Sequence, residues 1–149
     1  GALDISEHNI FDGNKAFASG GALACDECQR IRLAESTFEN NVAGEHGGAV
    51  SLVNPMSTRA TGSSGSVFRS NSAENGDGGG VYVAHASAVE GGEWRIDALW
   101  NSTADIFDGN IAMAGSGGAI FAIGTKIAFN VGSNCSNNRA PRGGGGCVF

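Results

Sequence analysis

Short stretches of alternating apolar and polar residues recur along this chain, separated by Gly, Asn, Asp and Ser. They read GGALAC from Gly20, RIRLAES from Arg30, GGAVSLV from Gly47, GGGVYVA from Gly78, GGAIFAI from Gly117 and KIAF from Lys126. Alternation with a period of two, bounded by turn-forming residues, is typical of β-strands. The runs are too short and too rich in glycine for amphipathic helices. The pattern therefore predicts an all-β protein.

These strands belong to a unit of sequence that occurs five times. Each copy reads F-x-x-N-x-A and, after a short loop, continues with Gly-Gly and a small aliphatic pair. The copies begin at Phe11, Phe38, Phe68, Phe107 and Cys135, where Cys replaces Phe. A repeat of about thirty residues holds three short strands, and stacked repeats bury a continuous core. We therefore predict one domain over residues 1–149, a single-stranded parallel β-helix of about five coils with three strands per coil.

Equivalent side chains of successive coils stack along the axis of such a solenoid, about 4.8 Å apart. We predict three inward ladders, one aromatic, one of amides and one aliphatic. Their members are Phe11, Phe38, Phe68 and Phe107; Asn14, Asn41, Asn71, Asn110 and Asn138; and Leu23, Val50, Val81, Ile120 and Val148. Stacked amides can hydrogen-bond from coil to coil at a corner. We therefore interpret the ladders as scaffold and not as a binding site.

Alternation in the Gly-Gly strands also predicts an outward stripe. Its members are Ala22, Ala24, Ala49, Ser51, Gly80, Tyr82, Ala119 and Phe121. A flat apolar stripe suits packing against a neighbouring molecule, although a long insertion that folds over it is an equal alternative. The spacing of the repeats places surface insertions at residues 54–66 and 85–105. The longer one carries Trp94 and Trp100, which either form a recognition surface or anchor their own loop.

The repeated F-x-x-N with G-G-A-[ILV], running from Phe11 to Val148, resembles the repeat of the polymorphic outer-membrane proteins, a family of chlamydial autotransporter-like surface proteins. The resemblance implies a right-handed β-helix on a cell surface that acts as a stalk or an adhesive passenger. The fifth copy departs from the family pattern because it begins with Cys135. Neither end shows the polar cap that solenoids need, so we expect a section of a longer chain or a unit that stacks into a filament.

The cysteines predict both the disulfide pairing and the cellular compartment of the protein. There are four, Cys25, Cys28, Cys135 and Cys147. Cys25 and Cys147 lie four coils apart, about 19 Å at one strand spacing per coil, whereas a disulfide needs Cα atoms within about 7 Å. We therefore predict the pairs Cys25–Cys28 and Cys135–Cys147. An even number of cysteines with local partners favours an extracellular or cell-surface location. The sequons at Asn101 and Asn134 are candidate glycosylation sites.

The charge balance excludes several partner classes. Nine basic against fifteen acidic residues give a net charge of −6, which argues against nucleic acid and anionic lipid. No apolar run approaches the roughly 20 residues of a membrane span, and we predict no cofactor and no metal. We predict a structural segment of a surface filament, appendage or adhesin that associates with itself, with other surface or fibre proteins, or with glycans.

The alternative class is a carbohydrate-active β-helix, either a polysaccharide lyase or hydrolase or a carbohydrate-binding module. Asp12 and Asp108 take the same position in the first and fourth coils, farther apart than the roughly 5–10 Å that separates paired glycosidase carboxylates. Glu74 and Asp77 are closer, but one acidic turn beside glycines is usually solvated. We therefore predict no catalytic residue.

Overall fold

The chain winds into a parallel β-solenoid. A computed structural model describes residues 2–28, 30–55, 61–85 and 99–149. The first turn holds β1 (Ala2–Ile5), β2 (Ile10–Asp12), β3 (Lys15–Ala16) and β4 (Leu23–Asp26), and the second holds β5 (Arg30–Ala34), β6 (Thr37–Glu39), β7 (Val42–Ala43) and β8 (Val50–Val53). The third holds β9 (Thr61–Ser64), β10 (Val67–Arg69), β11 (Ser72–Ala73) and β12 (Val81–Ala84). The fourth holds β13 (Leu99–Thr103), β14 (Ile106–Asp108), β15 (Ile111–Ala112) and β16 (Ile120–Ile123), and β17 (Lys126–Phe129) and β18 (Asn134–Ser136) follow.

Within the described residues, equivalent strands of successive turns pair into four sheets. Sheet A holds β1, β5, β9, β13 and β17, and sheet B holds β2, β6, β10, β14 and β18. Sheet C holds β3, β7, β11 and β15, and sheet D holds β4, β8, β12 and β16. All of these strand pairs are parallel. The predicted parallel β-solenoid is confirmed.

The structure refines the number of turns and strands. It has about four turns with three or four strands each, and the fifth repeat adds β17, β18 and the single bridges of Arg139 to Ile111 and Val148 to Ile120. The additional strand in each turn belongs to sheet C and is two residues long. Alternation needs at least four residues to be recognised, so the sequence pattern could not reveal this sheet.

The core lies inside the turns and contains side chains from all four sheets. Ile31 and Leu33 of β5 enter it from sheet A, and both are fully buried. Sheet C contributes the alanines of the repeat, and Ala43, Ala73 and Ala112 are fully buried. Their small side chains allow sheet C to lie close to the other walls.

The second glycine of each Gly-Gly pair is required by close contact between turns. A side chain on Gly48 would collide with backbone atoms of Gly79 and Ser72 in the next turn. The first glycine, Gly47, has a φ of 65°, a left-handed conformation that favours glycine. The pair therefore turns the chain between sheets C and D where no larger residue fits.

The outward stripe predicted from alternation is partly wrong. Ala49 and Ala119 are fully buried and belong to the core cluster. Each directly precedes a strand that begins at Val50 or Ile120, so it still lies in the turn, where a strand's alternation does not apply. Ser51 is almost fully buried as well.

The two predicted insertions are shorter than predicted. Residues 61–64 form β9 and residues 99–103 form β13, and both strands lie in register within sheet A. Their sequences, TGSS and LWNST, lack apolar alternation, so they read as loops. Trp100 is fully buried in the core, so of the two alternatives for the tryptophans it packs inward and does not form a recognition surface. Trp94 lies outside the described residues.

Candidate functional site

The phenylalanine of the repeat forms a column of rings inside sheet B. The ring centroids of Phe11 and Phe38 lie 4.7 Å apart, those of Phe38 and Phe68 lie 5.0 Å apart, and those of Phe68 and Phe107 lie 4.8 Å apart. The planes of successive rings are parallel to within 4°. Cys135 follows in register after Phe107. These side chains pack against one another along the axis and leave no ring face open between turns.

The asparagine ladder lies at the corner between sheets B and C, and its amides bond from turn to turn. The Nδ2 atoms of Asn14, Asn41, Asn71 and Asn110 donate to the Oδ1 atom of the next asparagine, Asn138 being the last, at 2.8–2.9 Å. Each of these Oδ1 atoms also accepts the backbone N–H of the asparagine one turn earlier. The amides from Asn41 onward also donate to the carbonyl oxygen of the phenylalanine one turn earlier. The ladder therefore satisfies backbone and side-chain groups together.

The remaining candidate residues lie in separate places. Leu23, Val50, Val81, Ile120 and Val148 are in register along sheet D. Cys25 pairs with Cys28, and Cys135 pairs with Cys147, each with Cα atoms 6.0 Å apart. The sequon residue Asn101 lies half-buried on the outer face of sheet A, and Asn134 is exposed in β18.

A second polar ladder, which the sequence analysis missed, lies at the corner between sheets A and B. The backbone N–H of Ser36 donates to Oγ of Ser66, that of Ser66 to Oδ1 of Asp105, and that of Asp105 to Oγ of Ser133. The residue type varies, but each side chain offers an oxygen acceptor two residues before the phenylalanine or cysteine of its repeat. That shared position is the signal that would have found the ladder.

Asp105 is the fully buried carboxylate of this second ladder. Its Oδ2 accepts hydrogen bonds from Ser63 at 2.6 Å and from Ser102 at 2.7 Å. Burial raises the pKa of Asp105, and the hydrogen bonds from Ser102, Ser63 and the backbone oppose that rise. The two serines take inward positions in β9 and β13 because this carboxylate needs donors inside the solenoid.

A third ladder, also missed, lies in the turn that leads from sheet C to sheet D. Here the backbone N–H of each turn donates to a side chain of the turn before it. The acceptors are Oγ of Ser19, Nδ1 of His46, Oδ1 of Asp77 and Oγ of Ser116, and the donors are His46, Asp77, Ser116 and Gly144. His46 and Asp77, which the sequence left without an assigned role, therefore act as structural acceptors.

Outside sheet D, aromatic rings stack along the solenoid. His46 lies 4.4 Å from Tyr82, Tyr82 lies 5.5 Å from Phe121, and Phe121 lies 5.8 Å from Phe149, measured between ring centroids. Burial and the nearby Asp77 raise the pKa of Tyr82. The faces of the inner rings cover one another, so they are not open platforms for a sugar ring.

The repeat is similar to that of a known protein family. The model of the Chlamydia polymorphic membrane protein repeat family matches residues 35–52 and 106–123. These two stretches of the chain are similar to that repeat. The matches cover the second and fourth copies of the unit and confirm the resemblance seen in the sequence. Curated proteins and solved structures gave no match.

The polymorphic membrane protein repeat and the solenoid together fit a surface-exposed structural or adhesive segment. Members of that family are outer-membrane or surface proteins, which is consistent with a surface location. Among the described residues, no helix is long and apolar enough to span a membrane. In the same part of the chain, no group of three His, Cys, Asp or Glu side chains is placed to bind a metal ion.

The outer face of sheet B holds Asp12 and Asp108, two of the carboxylates considered for catalysis. Asp12, Glu39, Arg69 and Asp108 follow one another in register. Asp12 and Asp108 are therefore three strand spacings apart, about 14 Å. Arg69 lies 3.9 Å from Glu39 and 4.0 Å from Asp108, and hydrogen bonds from Asn137 and Ser136 lower the pKa of Asp108. Along the outer face of sheet B, these groups form an ion-paired surface row.

Proposed function

We propose that this chain is a rod-forming segment of an extracellular surface protein, which extends that protein from the cell and associates with itself or with other surface or fibre proteins. The observation that carries the proposal is the continuity of the interior. Rings, amides and aliphatic side chains of each turn contact those of the next. A structure whose turns contact only their neighbours extends by adding turns, which is the property that a stalk or filament needs.

The use of the polar groups supports a structural role. At the corners between sheets A and B and between sheets B and C, buried polar side chains such as Asn71, Ser66 and Asp105 hydrogen-bond to backbone or side chains of adjacent turns. They are therefore occupied in holding the coils in register. The two cystine pairs support an oxidising compartment, because disulfides persist outside the cytosol.

Surface location is tested by adding protease or an antibody against this chain to intact cells of its source. We expect the intact cells to be labelled or shaved, while a cytosolic control protein stays protected. Protection of the chain until the cells are opened would overturn the proposal.

Association is tested separately on the purified 149-residue chain by sedimentation velocity over a wide concentration range. Self-association predicts a sedimentation coefficient that rises with concentration. A monomer at every concentration would restrict the proposal to association with other proteins. Glycosylation at Asn101 and Asn134 is tested by the mass of the secreted chain before and after enzymatic removal of N-glycans, with Asn101→Gln and Asn134→Gln as controls.

A further inference from the structure

Sheet A presents two arginines on its outer face. Arg30 and Arg32 point outward from β5, and the residues that alternate with them, Ile31 and Leu33, are fully buried. Residues two apart on a strand lie on the same face, about 6.5 Å from each other. Because Ile31 and Leu33 anchor β5 in the core, the backbone that carries the two arginines has a fixed position.

A groove lies beside these arginines. It has a cavity volume of about 210 Å³ and is lined by Arg30, Arg32, Gly62, Ser64, Asn101 and Thr103 among others. Gly62 lies in register between Arg32 of the turn before and Asn101 of the turn after. A side chain on Gly62 would collide with the backbone carbonyl oxygen of Asn101. The row therefore has no side chain between the arginines on one side and an amide and a hydroxyl on the other.

The charges around the groove leave the arginines available to an anion. Asp4, the carboxylate in register with Arg32, lies 3.9 Å from it, at the limit of an ion pair, and both side chains are more than half exposed. Within the described part of the chain, Arg30 has no ion-pair partner. Glu35, at the end of the same strand, lies 3.4 Å from Nδ1 of His8. On a chain of net charge −6, Arg30 is therefore an unpaired positive charge beside Arg32, whose exposed ion pair with Asp4 an anion can displace.

The geometry points to a binding site for an acidic polysaccharide, with a carboxylate or sulfate held by Arg30 and Arg32 and sugar hydroxyls bonded by Ser64 and Thr103. Guanidinium groups bind carboxylates and sulfates through paired N–H donors. The cavity is smaller than the roughly 300–1,000 Å³ of sites that enclose a whole small molecule. It accommodates one sugar unit, while the rest of an extended chain lies along the open face.

A polysaccharide fits this groove better than an acidic peptide does. The apolar residues that line it, Ile31 and Leu33, are fully buried beneath it, so a peptide finds no apolar pocket for its side chains. The backbone groups of the central strands are already used between turns of sheet A, which removes strand addition as a mode of peptide binding. A polysaccharide, which is rich in hydroxyl groups, needs neither an apolar pocket nor strand addition.

This inference names a partner class for the surface segment and in that sense rests on the proposed function, but its test is independent of where the protein is located. The 149-residue chain is titrated with dextran sulfate, with uncharged dextran and with poly-glutamate, and binding is followed by biolayer interferometry. We expect binding to dextran sulfate alone, which weakens as salt rises because exposed charge pairs are screened over about 10 Å at 0.1 M salt.

Variants assign the binding to the groove. Arg30→Gln with Arg32→Gln is expected to weaken the affinity for dextran sulfate about tenfold. The matched control is Arg139→Gln with Arg142→Gln, which removes the same charge from exposed positions outside sheet A and should change the affinity less than about twofold. Asp4→Asn removes the competing carboxylate and should strengthen binding about twofold. Circular dichroism and the melting temperature verify that each variant is folded.

Three results would overturn the inference. Equal loss in the two double variants would show that binding follows net charge and not the groove. Equal binding of poly-glutamate would show that the face binds acidic peptides as well, and no binding of dextran sulfate by the folded chain would exclude the site. A chain that binds as expected but is protected inside intact cells would contradict the proposed function alone.

Discussion

The asparagine ladder allows a quantitative test of how the turns are held together, through the substitution Asn71→Ala. Asn71 is fully buried. Its Oδ1 accepts from the backbone N–H and Nδ2 of Asn41, at 3.0 and 2.9 Å, and its Nδ2 donates to the carbonyl oxygen of Phe38 and to Oδ1 of Asn110, both at 2.9 Å. Alanine removes four hydrogen bonds and supplies no replacement.

The expected loss of stability follows from the hydrogen-bonding groups that Asn71→Ala leaves without a partner. Two donors of Asn41 lose their acceptor, and a buried group without a partner costs about 1–3 kcal/mol. The carbonyl of Phe38 loses one donor, but Oδ1 of Asn110 keeps the backbone N–H of Asn71. We therefore expect Asn71→Ala to lower the free energy of unfolding by about 3–5 kcal/mol. Many domains have only about 5–15 kcal/mol in total.

The matched control is the same substitution at the first rung. Asn14 is exposed, and its side chain donates one hydrogen bond, to Oδ1 of Asn41 at 2.9 Å. Asn14→Ala should therefore cost no more than about 1 kcal/mol. Urea unfolding followed by circular dichroism measures both variants, with the change in midpoint multiplied by a common m-value. We expect the loss of stability to depend on how deeply the amide is buried. If Asn71→Ala and Asn14→Ala lower the free energy of unfolding by amounts that agree within about 0.5 kcal/mol, that expectation is refuted.

Three further predictions test other parts of the interior. Because burial raises the pKa of Asp105, its contribution to stability is full below the unfolded value of about 3.9 and is lost as pH rises through the folded pKa. The melting temperature of wild type relative to Asp105→Asn should therefore fall as pH rises above about 4, and a flat difference would contradict this. Gly48→Ala should lower the free energy of unfolding by more than about 4 kcal/mol, because the new side chain would collide with backbone. Gly13 has a positive φ but lies in open space, so Gly13→Ala should lower the free energy of unfolding by about 1 kcal/mol. Phe68→Ala should cost about 3–5 kcal/mol by urea unfolding, and exposed Phe17→Ala about 0.5 kcal/mol or less; similar losses would argue against the ring column as a source of stability.

The sequence predicts those parts of the fold in which one residue type repeats at one position. Phe38 and Asn41 are repeated in kind, so their columns can be seen without coordinates. At the corner before sheet B the structure needs only an oxygen acceptor, which Ser66 and Asp105 both provide, so the residue type varies and the pattern is hidden. The strands TGSS and LWNST resemble insertions in sequence for a related reason. Their inward residues Ser63 and Ser102 hydrogen-bond to Asp105, whereas alternation predicts an apolar residue at these positions.

The outer faces follow a different rule, which limits what a repeat can reveal about function. An inward residue contacts its equivalents in the turns above and below, so each turn constrains the next. An outward residue such as Arg30 contacts mainly solvent, and the same position in other turns is free to differ. A binding site on this scaffold therefore forms where the period is broken, as it is at Arg32, Gly62 and Asn101, three different residues in one register row. Function in such a chain is to be sought among the outward residues that do not repeat, while those that do repeat report the fold.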